Sequence, residues 1–351
     1  MSAFTSTILI TGGTTGLGYW AAYELARQCP DAKIIIASRS DKNHAADSLN
    51  KLLQKDRKPA AQSIQAQVVY LPLDLSSMAD IRAFVGTHFS SNANPPIAKL
   101  LLNAGLQFYK GKEIRLTPDG IESTFAVNHV GHAFLFFLLK PYLAPTTRIV
   151  ITASGTHDPA QKSGLPDPEY ISAELLAHPT DKDGYEVNMR GLQRYATSKL
   201  TNVMFSYALE RRLQTMRETP APNSPNVNMT PKRNWTIATM DPGLMPGTSL
   251  GRDVGPVLFW VFVHVAPKLI WLMRWIVGPN VHTPQASGAN LARLAMDTEP
   301  KVTESGKYFE GQRMIKSSVD SYDEVKQEDL WRWTVGFLAK DGKEKQLFET
   351  F

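Results

Sequence analysis

Short, nearly continuous apolar runs alternate with stretches of helical spacing through the first two thirds of the chain. TILI (7–10), KIIIAS (33–38), AQVVYLPLD (66–74), AKLLLNAG (98–105), TRIVITAS (147–154) and NWTIATMDPG (234–243) read as strands. They lack polar alternation, which predicts burial on both faces, the habit of strands in parallel sheets. Between them, LGYWAAYELARQ, MADIRAFVGTHF, IESTFAVNHVGHAFLFFLLKPYL and YATSKLTNVMFSYALERRL carry apolar residues at the period of helices. Repeated strand and helix units predict the α/β class with a doubly wound parallel sheet. In that arrangement ligands gather where strands end, so the residues just after each strand carry the most information.

Three segments break the rhythm. Residues 156–190 are too long for a simple turn and are expected as an insertion on the substrate side. Residues 214–234, rich in Pro, Asn and Ser, read as a mobile loop. Residues 250–285 hold the most apolar stretch, GPVLFWVFVHVAPKLIWLMRWIVG (255–278), interrupted by His264, Pro267, Lys268 and Arg274. Those interruptions argue against one spanning helix and for two amphipathic helices hinged at Pro267, with a lid, a peripheral membrane contact and a homodimer interface as the alternative uses. Toward the end, ASGANLARLAMD, GKYFEG and QEDLWRWTVGFL predict a helix, a short strand and a closing helix whose Trp331 and Trp333 pack back on the body.

Composition narrows the functional classes. The 351 residues are 43% hydrophobic and 20% charged, ordinary for a globular protein. A single cysteine, Cys29, excludes an internal disulfide and a cysteine-based metal cluster. The net charge of +5 is spread along the chain, which argues against nucleic-acid binding. The N-terminus lacks the basic start and cleavage site of an export signal, so the expected setting is cytoplasmic, membrane-associated if 255–278 rests on a bilayer. His129, His132 and His157 fall near candidate site residues without metal-ligand spacing.

Immediately after the first strand comes TGGTTGLG (11–18). Gly12, Gly16 and Gly18 let the backbone turn sharply and approach a phosphate, and the helix behind them offers free N–H groups. Dinucleotide folds that prefer NAD place an acid at the end of the second strand, where it binds the ribose 2′-OH. Here that place holds Ser38 and Arg39. A guanidinium can bind a 2′-phosphate that a carboxylate would repel, so the expected cofactor is NADP(H). Further along, RYATSKL (194–200) sets Tyr195 and Lys199 one helical turn apart, on one face. Alone, that spacing equally describes a packed tyrosine beside a solvated lysine; beside a nucleotide site, the ammonium could lower the phenol pKa toward the working range.

With TGGTTGLG, LLNAG, TAS and YATSK in this order, the chain resembles the short-chain dehydrogenase/reductase family over residues 5 to about 250, in layout the retinol dehydrogenase and protochlorophyllide reductase branch. The resemblance implies a single Rossmann-type domain over 1–351 and a catalytic tetrad of Asn128, Ser154, Tyr195 and Lys199. It implies cofactor contacts from Thr11, Gly12, Gly16, Leu17, Gly18, Ser38 and Arg39, from Asp74 and Leu75 at the adenine, and from Asn103, Ala104 and Gly105 at its ribose. Tyr195 and Lys199 would also face the nicotinamide, with Pro242 and Gly243 beside it and Thr248 near its carboxamide. The implied activity is reduction of the carbonyl of a small hydrophobic molecule, a retinoid, steroid or polyketide-like compound, as in secondary metabolism. Reduction of an activated C=C bond and a non-catalytic NADP(H) sensor are the alternatives. Two departures stand out: the usual serine pair is Ala153 and Ser154, and Leu244 follows the Pro-Gly pair where the pigment enzymes carry cysteine.

Overall fold

The computed structural model describes residues 4–56, 67–90, 94–108, 113–179, 191–218, 233–248, 255–296 and 303–351. Strands β1 (Ser6–Thr11), β2 (Ala32–Ser38), β3 (Val68–Pro72), β4 (Ile97–Leu102), β5 (Leu143–Thr152), β6 (Thr236–Asp241), β7 (Lys307–Glu310) and β8 (Arg313–Ile315) form one sheet in the order β3-β2-β1-β4-β5-β6-β7-β8. All neighbours are parallel except β7 and β8. The order reverses between β1 and β4, so the crevice where ligands collect opens at the end of β1. The six apolar runs became β1 to β6, and GKYFEG became β7. The antiparallel β8 was not foreseen: in RMI only Ile315 is partly covered, so the run carries almost no hydrophobic signal.

Helices cover both faces. On one, α1 (Gly16–Gln28), α2 (Ala45–Asp56) and α10 (Pro284–Met296) bury Leu17, Leu25, Leu49, Leu53, Leu291 and Leu294 against Ile8, Ile34 and Ile36. Gly288 permits the close crossing of α10 and α1, because a Cβ there would lie 2.4 Å from Trp20 Cβ. On the other face lie α3 (Met78–His88), capped by the Ser77 hydroxyl, α5 (Gly131–Leu139) and the long α7 (Gly191–Glu218). Phe134, Phe136, Phe137 and Phe205 fill this core, and Trp331 of the helix Glu324–Leu338 stacks on Phe205 at 5.4 Å, as the closing-helix reading requires.

The long apolar stretch 121–143 is not one helix. A turn of α-helix, α4 (Ser123–Phe125), passes into a π-turn at Ala126–Val130, then α5, then a 3-10 turn at Lys140–Tyr142. Inserted π-turns are a frequent mark of functional sites, and this one contains Asn128. The loop expected from 214 begins later: α7 continues to Glu218, because Arg211 and Arg212 pair with Glu328 and Arg217 donates to Trp235 O. The remainder of that loop, 219–232, falls outside the described residues, as do 180–190 of the expected insertion and 250–254 of the lid. The described part of the insertion carries two 3-10 turns and α6 (Ala173–Ala177). The lid segment forms α8 (Pro256–His264) and α9 (Ile270–Ile276), with the bend at Ala266–Leu269 that Pro267 predicts.

Lys140 anchors the C-terminal helix Gly342–Glu349. Its buried ammonium donates to Leu347 O at 2.9 Å, Phe348 O at 3.1 Å and Thr350 O, and lies 4.0 Å from the centre of the Phe351 ring. These carbonyls include ends that the helix itself leaves unpaired. Lys140→Met should lower unfolding stability by about 2–3 kcal/mol, the scale of lost charged hydrogen bonds, read as a shifted urea midpoint; an unchanged midpoint would show that the anchor carries no weight.

Candidate active site

A cavity of about 1040 Å³ opens along the carboxyl edge of the sheet. Gly12, Gly16, Leu17, Gly18, Ser38, Arg39, Asp74, Leu75, Asn103, Ala104, Gly105, Ser154, Tyr195, Lys199, Pro242, Gly243 and Thr248 all line it. Of the residues singled out in the sequence, Thr11 and Asn128 stand behind its wall, both fully buried.

The nucleotide end is shaped by backbone. Gly12 and Gly16 sit at φ +68° and +56°, where a side chain is strained. A Cβ on Gly12 would lie 2.9 Å from Ala104 Cα, and one on Gly18 would lie 2.4 Å from Gly12 O. Gly13 packs behind the cradle on β2, since a Cβ there would strike Ile36 Cγ2 at 2.6 Å, a contact between distant segments that the sequence pattern does not show. At the start of α1, the Thr15 side chain makes no capping bond and the first turn holds no acid. Those N–H groups therefore face the cavity unpaid, the arrangement that suits a pyrophosphate. Ser38 Oγ, buried without a partner, and Arg39, exposed at the rim, complete this end. Asp74 spends Oδ1 on the N–H and hydroxyl of Ser76, at 2.9 and 2.7 Å. Thr248 reaches across the turn, its Cγ2 3.6 Å from where a Cβ of Gly16 would stand. These features fit a dinucleotide.

A string of hydrogen bonds joins this end to the other. Thr11 Oγ1 accepts from the backbone N–H groups of Asn103 at 2.8 Å and Ala104 at 3.0 Å, and Asn103 Nδ2 donates to Thr11 O at 2.9 Å. Thr152 Oγ1 donates to Asn103 Oδ1 at 3.1 Å, and Lys199 Nζ donates to Thr152 O at 3.1 Å. His132 lies behind them, its Nε2 2.9 Å from Thr11 Oγ1 and its Nδ1 3.1 Å from Asn128 O. Burial holds His132 down to about 4 and His129 to about 3, so both are neutral structural rings.

Asn128 is saturated. Its Nδ2 donates to Leu106 O at 3.0 Å and Ser198 Oγ at 2.9 Å, while Oδ1 accepts from Leu106 N at 2.8 Å. The amide thereby ties the π-turn, the segment after β4 and α7 together. Tyr195 and Lys199 project from α7 into the cavity, with Lys199 Nζ 5.5 Å from the centre of the Tyr195 ring. Ser154, directly after β5, accepts from Thr156 N at 3.3 Å and hydrogen-bonds the Tyr195 hydroxyl.

The tuning of the phenol differs from the sequence expectation. Burial and then the Asp241 carboxylate push the Tyr195 hydroxyl well above 10, and only its hydrogen bond with Ser154 draws it back. Burial likewise pushes Lys199 down to about 8, against an upward pull from Asp241. In a site this enclosed, removing water from a charge outweighs a cation across the ring. Tyr195 thus rests as an un-ionised phenol with its proton available. Asp241, named in the sequence only as part of the Pro-Gly segment, emerges as a buried neighbour of both groups.

Around the mouth, Leu106, Leu165, Met245, Val261, Phe262 and Val277 provide an apolar wall. Helix α8 contributes Val261 and Phe262 to it, Val277 follows α9, and the two helices expose Trp260, Trp271 and Trp275 outside. No helix among the described residues is long and apolar enough to cross a membrane.

This doubly wound sheet with a glycine cradle at its switch point is a dinucleotide-binding α/β fold. Solved structures share it: a 3-oxoacyl-[acyl-carrier protein] reductase of Brucella melitensis in complex with NAD (TM-score 0.56, 18% identity, 88% of this chain and 96% of that one). An NADPH-bound carbonyl reductase from chicken fatty liver also does (TM-score 0.53, 16% identity, 90% and 100%). The sequence pattern described as short chain dehydrogenase matches residues 6–163. The chain is 30% identical to Short-chain dehydrogenase TIC 32 A, chloroplastic, of Brassica napus, over 94% of its own length and 87% of the relative's. It is 29% identical to human polyprenol dehydrogenase, over 92% and 82%. The protein belongs to the short-chain dehydrogenase family of oxidoreductases, which use a nicotinamide dinucleotide.

Removing the saturated amide should loosen the wall behind the cavity. Asn128→Ala leaves the buried N–H and C=O of Leu106 unpaired, at a cost of about 2–4 kcal/mol; chemical denaturation reads it, and a loss below about 0.5 kcal/mol would contradict the tie.

Proposed function

We propose that this protein is an NADPH-dependent oxidoreductase that reduces the carbonyl of a bulky hydrophobic substrate, of retinoid, steroid or polyketide-like kind, with Tyr195 as proton donor. The observation that carries this reading is the convergence of Ser154, Tyr195 and Lys199 on one cavity whose far end is the glycine cradle. When bound, the nicotinamide supplies the hydride. The residues do the rest. Ser154 is placed to donate a hydrogen bond to the substrate oxygen, and Tyr195, protonated at rest, to deliver its proton as negative charge grows there. Lys199 steadies that charge and the ribose beside it, and Asn128 holds α7 against the π-turn.

Preference for the phosphorylated cofactor rests on Arg39 and the orphaned Ser38 hydroxyl at the rim, with no acid at the end of β2. The apolar mouth supports a hydrophobic substrate. The name of the human relative, polyprenol dehydrogenase, agrees with a lipid-like one.

Tyr195→Phe should lower NADPH-dependent turnover of a carbonyl panel by about 10²–10⁴-fold, while nucleotide binding followed by fluorescence stays intact; a variant that kept full turnover would remove the proton-donor role. Arg39→Ala should weaken NADPH binding by roughly 10–100-fold, the scale of charged hydrogen bonds, and leave NADH nearly unaffected. Equal wild-type affinity for the two cofactors would refute the preference.

A further inference from the structure

Asp241 ends β6 in the middle of the carboxyl edge, 3% exposed, and the tetrad leaves it without a role. Its Oδ1 accepts from Gly243 N at 2.9 Å and its Oδ2 from Asn280 Nδ2 at 2.6 Å, and the Gly155 backbone packs against it. These neighbours belong to three segments that wall the cavity: the turn after β5, where Gly155 follows Ser154; the turn after β6; and the chain returning from the lid. The two glycines approach too closely for a side chain. A Cβ on Gly155 would stand 2.9 Å from Asp241 Oδ2, and one on Gly243, at φ +77°, would stand 2.5 Å from Asn280 Oδ1.

The contact continues outward. Asn280 Oδ1 lies 3.0 Å from His282 Nε2, Leu244 N donates to Asn280 O at 2.9 Å, and Arg274 of α9 donates from Nε to Val281 O at 2.8 Å. The lid is therefore fastened to the cavity floor through Asn280. Inward, Asp241 lines the same cavity as Tyr195 and Lys199 of α7, and its charge acts on both. From β7, Tyr308 and Glu310 face it, the latter paired with Arg313 of β8, and His282 lies beyond Asn280. Of these neighbours Lys199 is the buried cation.

We propose that Asp241 is a positioning residue of the reaction: its carboxylate clamps the Ser154 turn, the Pro-Gly turn and the lid return to one another and stands as the buried counter-charge to the Lys199 ammonium. This rests on the functional reading above and adds to it a residue outside the tetrad. The clamp sets where Ser154 sits, and the counter-charge sets the pH at which Lys199 gives up its proton. Burial lowers that pH and Asp241 raises it, so removing the negative charge moves it further down.

The test uses the full chain labelled with 13C at lysine Cε, the Lys199 signal being identified by its absence in Lys199→Met. Wild type should titrate at about 8. Asp241→Asn should titrate about one pH unit lower, and the basic limb of its pH–rate profile should move by the same amount. Asn280→Ala, which cuts the lid from the floor and keeps the charge, should raise KM several-fold and leave the Lys199 titration in place. If Asp241→Asn fails to fold, the exchanged pair D241N/N280D serves: it rebuilds the hydrogen bond, moves the charge toward His282, and should still titrate below wild type. A Lys199 titration unmoved in either Asp241 variant overturns the proposal. The NMR signal needs no turnover, so a wild type inactive on every carbonyl would count against the functional reading and leave this test standing.

Discussion

A line of hydrogen bonds spans the carboxyl edge of the sheet, from Thr11 through Asn103 and Thr152 to Lys199, and the site exists because that line is closed. Each link joins the end of one strand to its neighbour in the order β1, β4, β5, then to α7. The line fixes the distance between the glycine cradle and the Tyr195 helix. A dinucleotide must reach from one to the other, so its length is matched by protein groups that cannot drift independently. Because Thr11, Thr152 and Lys199 are buried, an unmade bond at any of them would leave an orphaned polar group at high cost, which keeps the line intact.

Exclusion of water is the second constraint, and it acts in opposite directions on neighbouring groups. Burial pushes the Tyr195 phenol up and the Lys199 ammonium down. Both resist ionisation for the same reason, the missing solvent around a charge. The tyrosine therefore keeps its proton, and the lysine sits near the pH where it can lose one. Asp241, also pushed up by burial but held by the N–H groups of Gly243 and Asn280, supplies the negative charge that keeps the lysine from falling further.

Packing on the far face serves the same end. The aromatic core around Phe136, Phe137, Phe205 and Trp331 holds α7 against the sheet, and the Glu328 pairs with Arg211 and Arg212 extend that hold to its last turns. Helices α8 and α9 stand apart: much of their apolar surface faces outward, and of their described residues only Val261 and Phe262 of α8 line the cavity. Among the described residues the lid is tied to the body by polar contacts, Asn280 to Asp241 and Gly247 N to Phe262 O.

Seven strands, the glycine turn and the Tyr195/Lys199 pair were legible in the chain itself, because each depends on residues close together in sequence: a short apolar run, a glycine at positive φ, a one-turn helical spacing. The α/β class followed from their alternation. The π-turn at Ala126–Val130, the late end of α7 and the edge strand β8 were not legible, since each is stabilised by partners far away in the chain. The direction of the Tyr195 shift escaped for the same reason. Spacing shows that a lysine is near, but how much water surrounds the pair depends on what folds over them. Asp241 is the clearest instance. In sequence it is one acid before Pro-Gly; its neighbours come from positions 155, 243 and 280, and only folding brings them to one carboxylate.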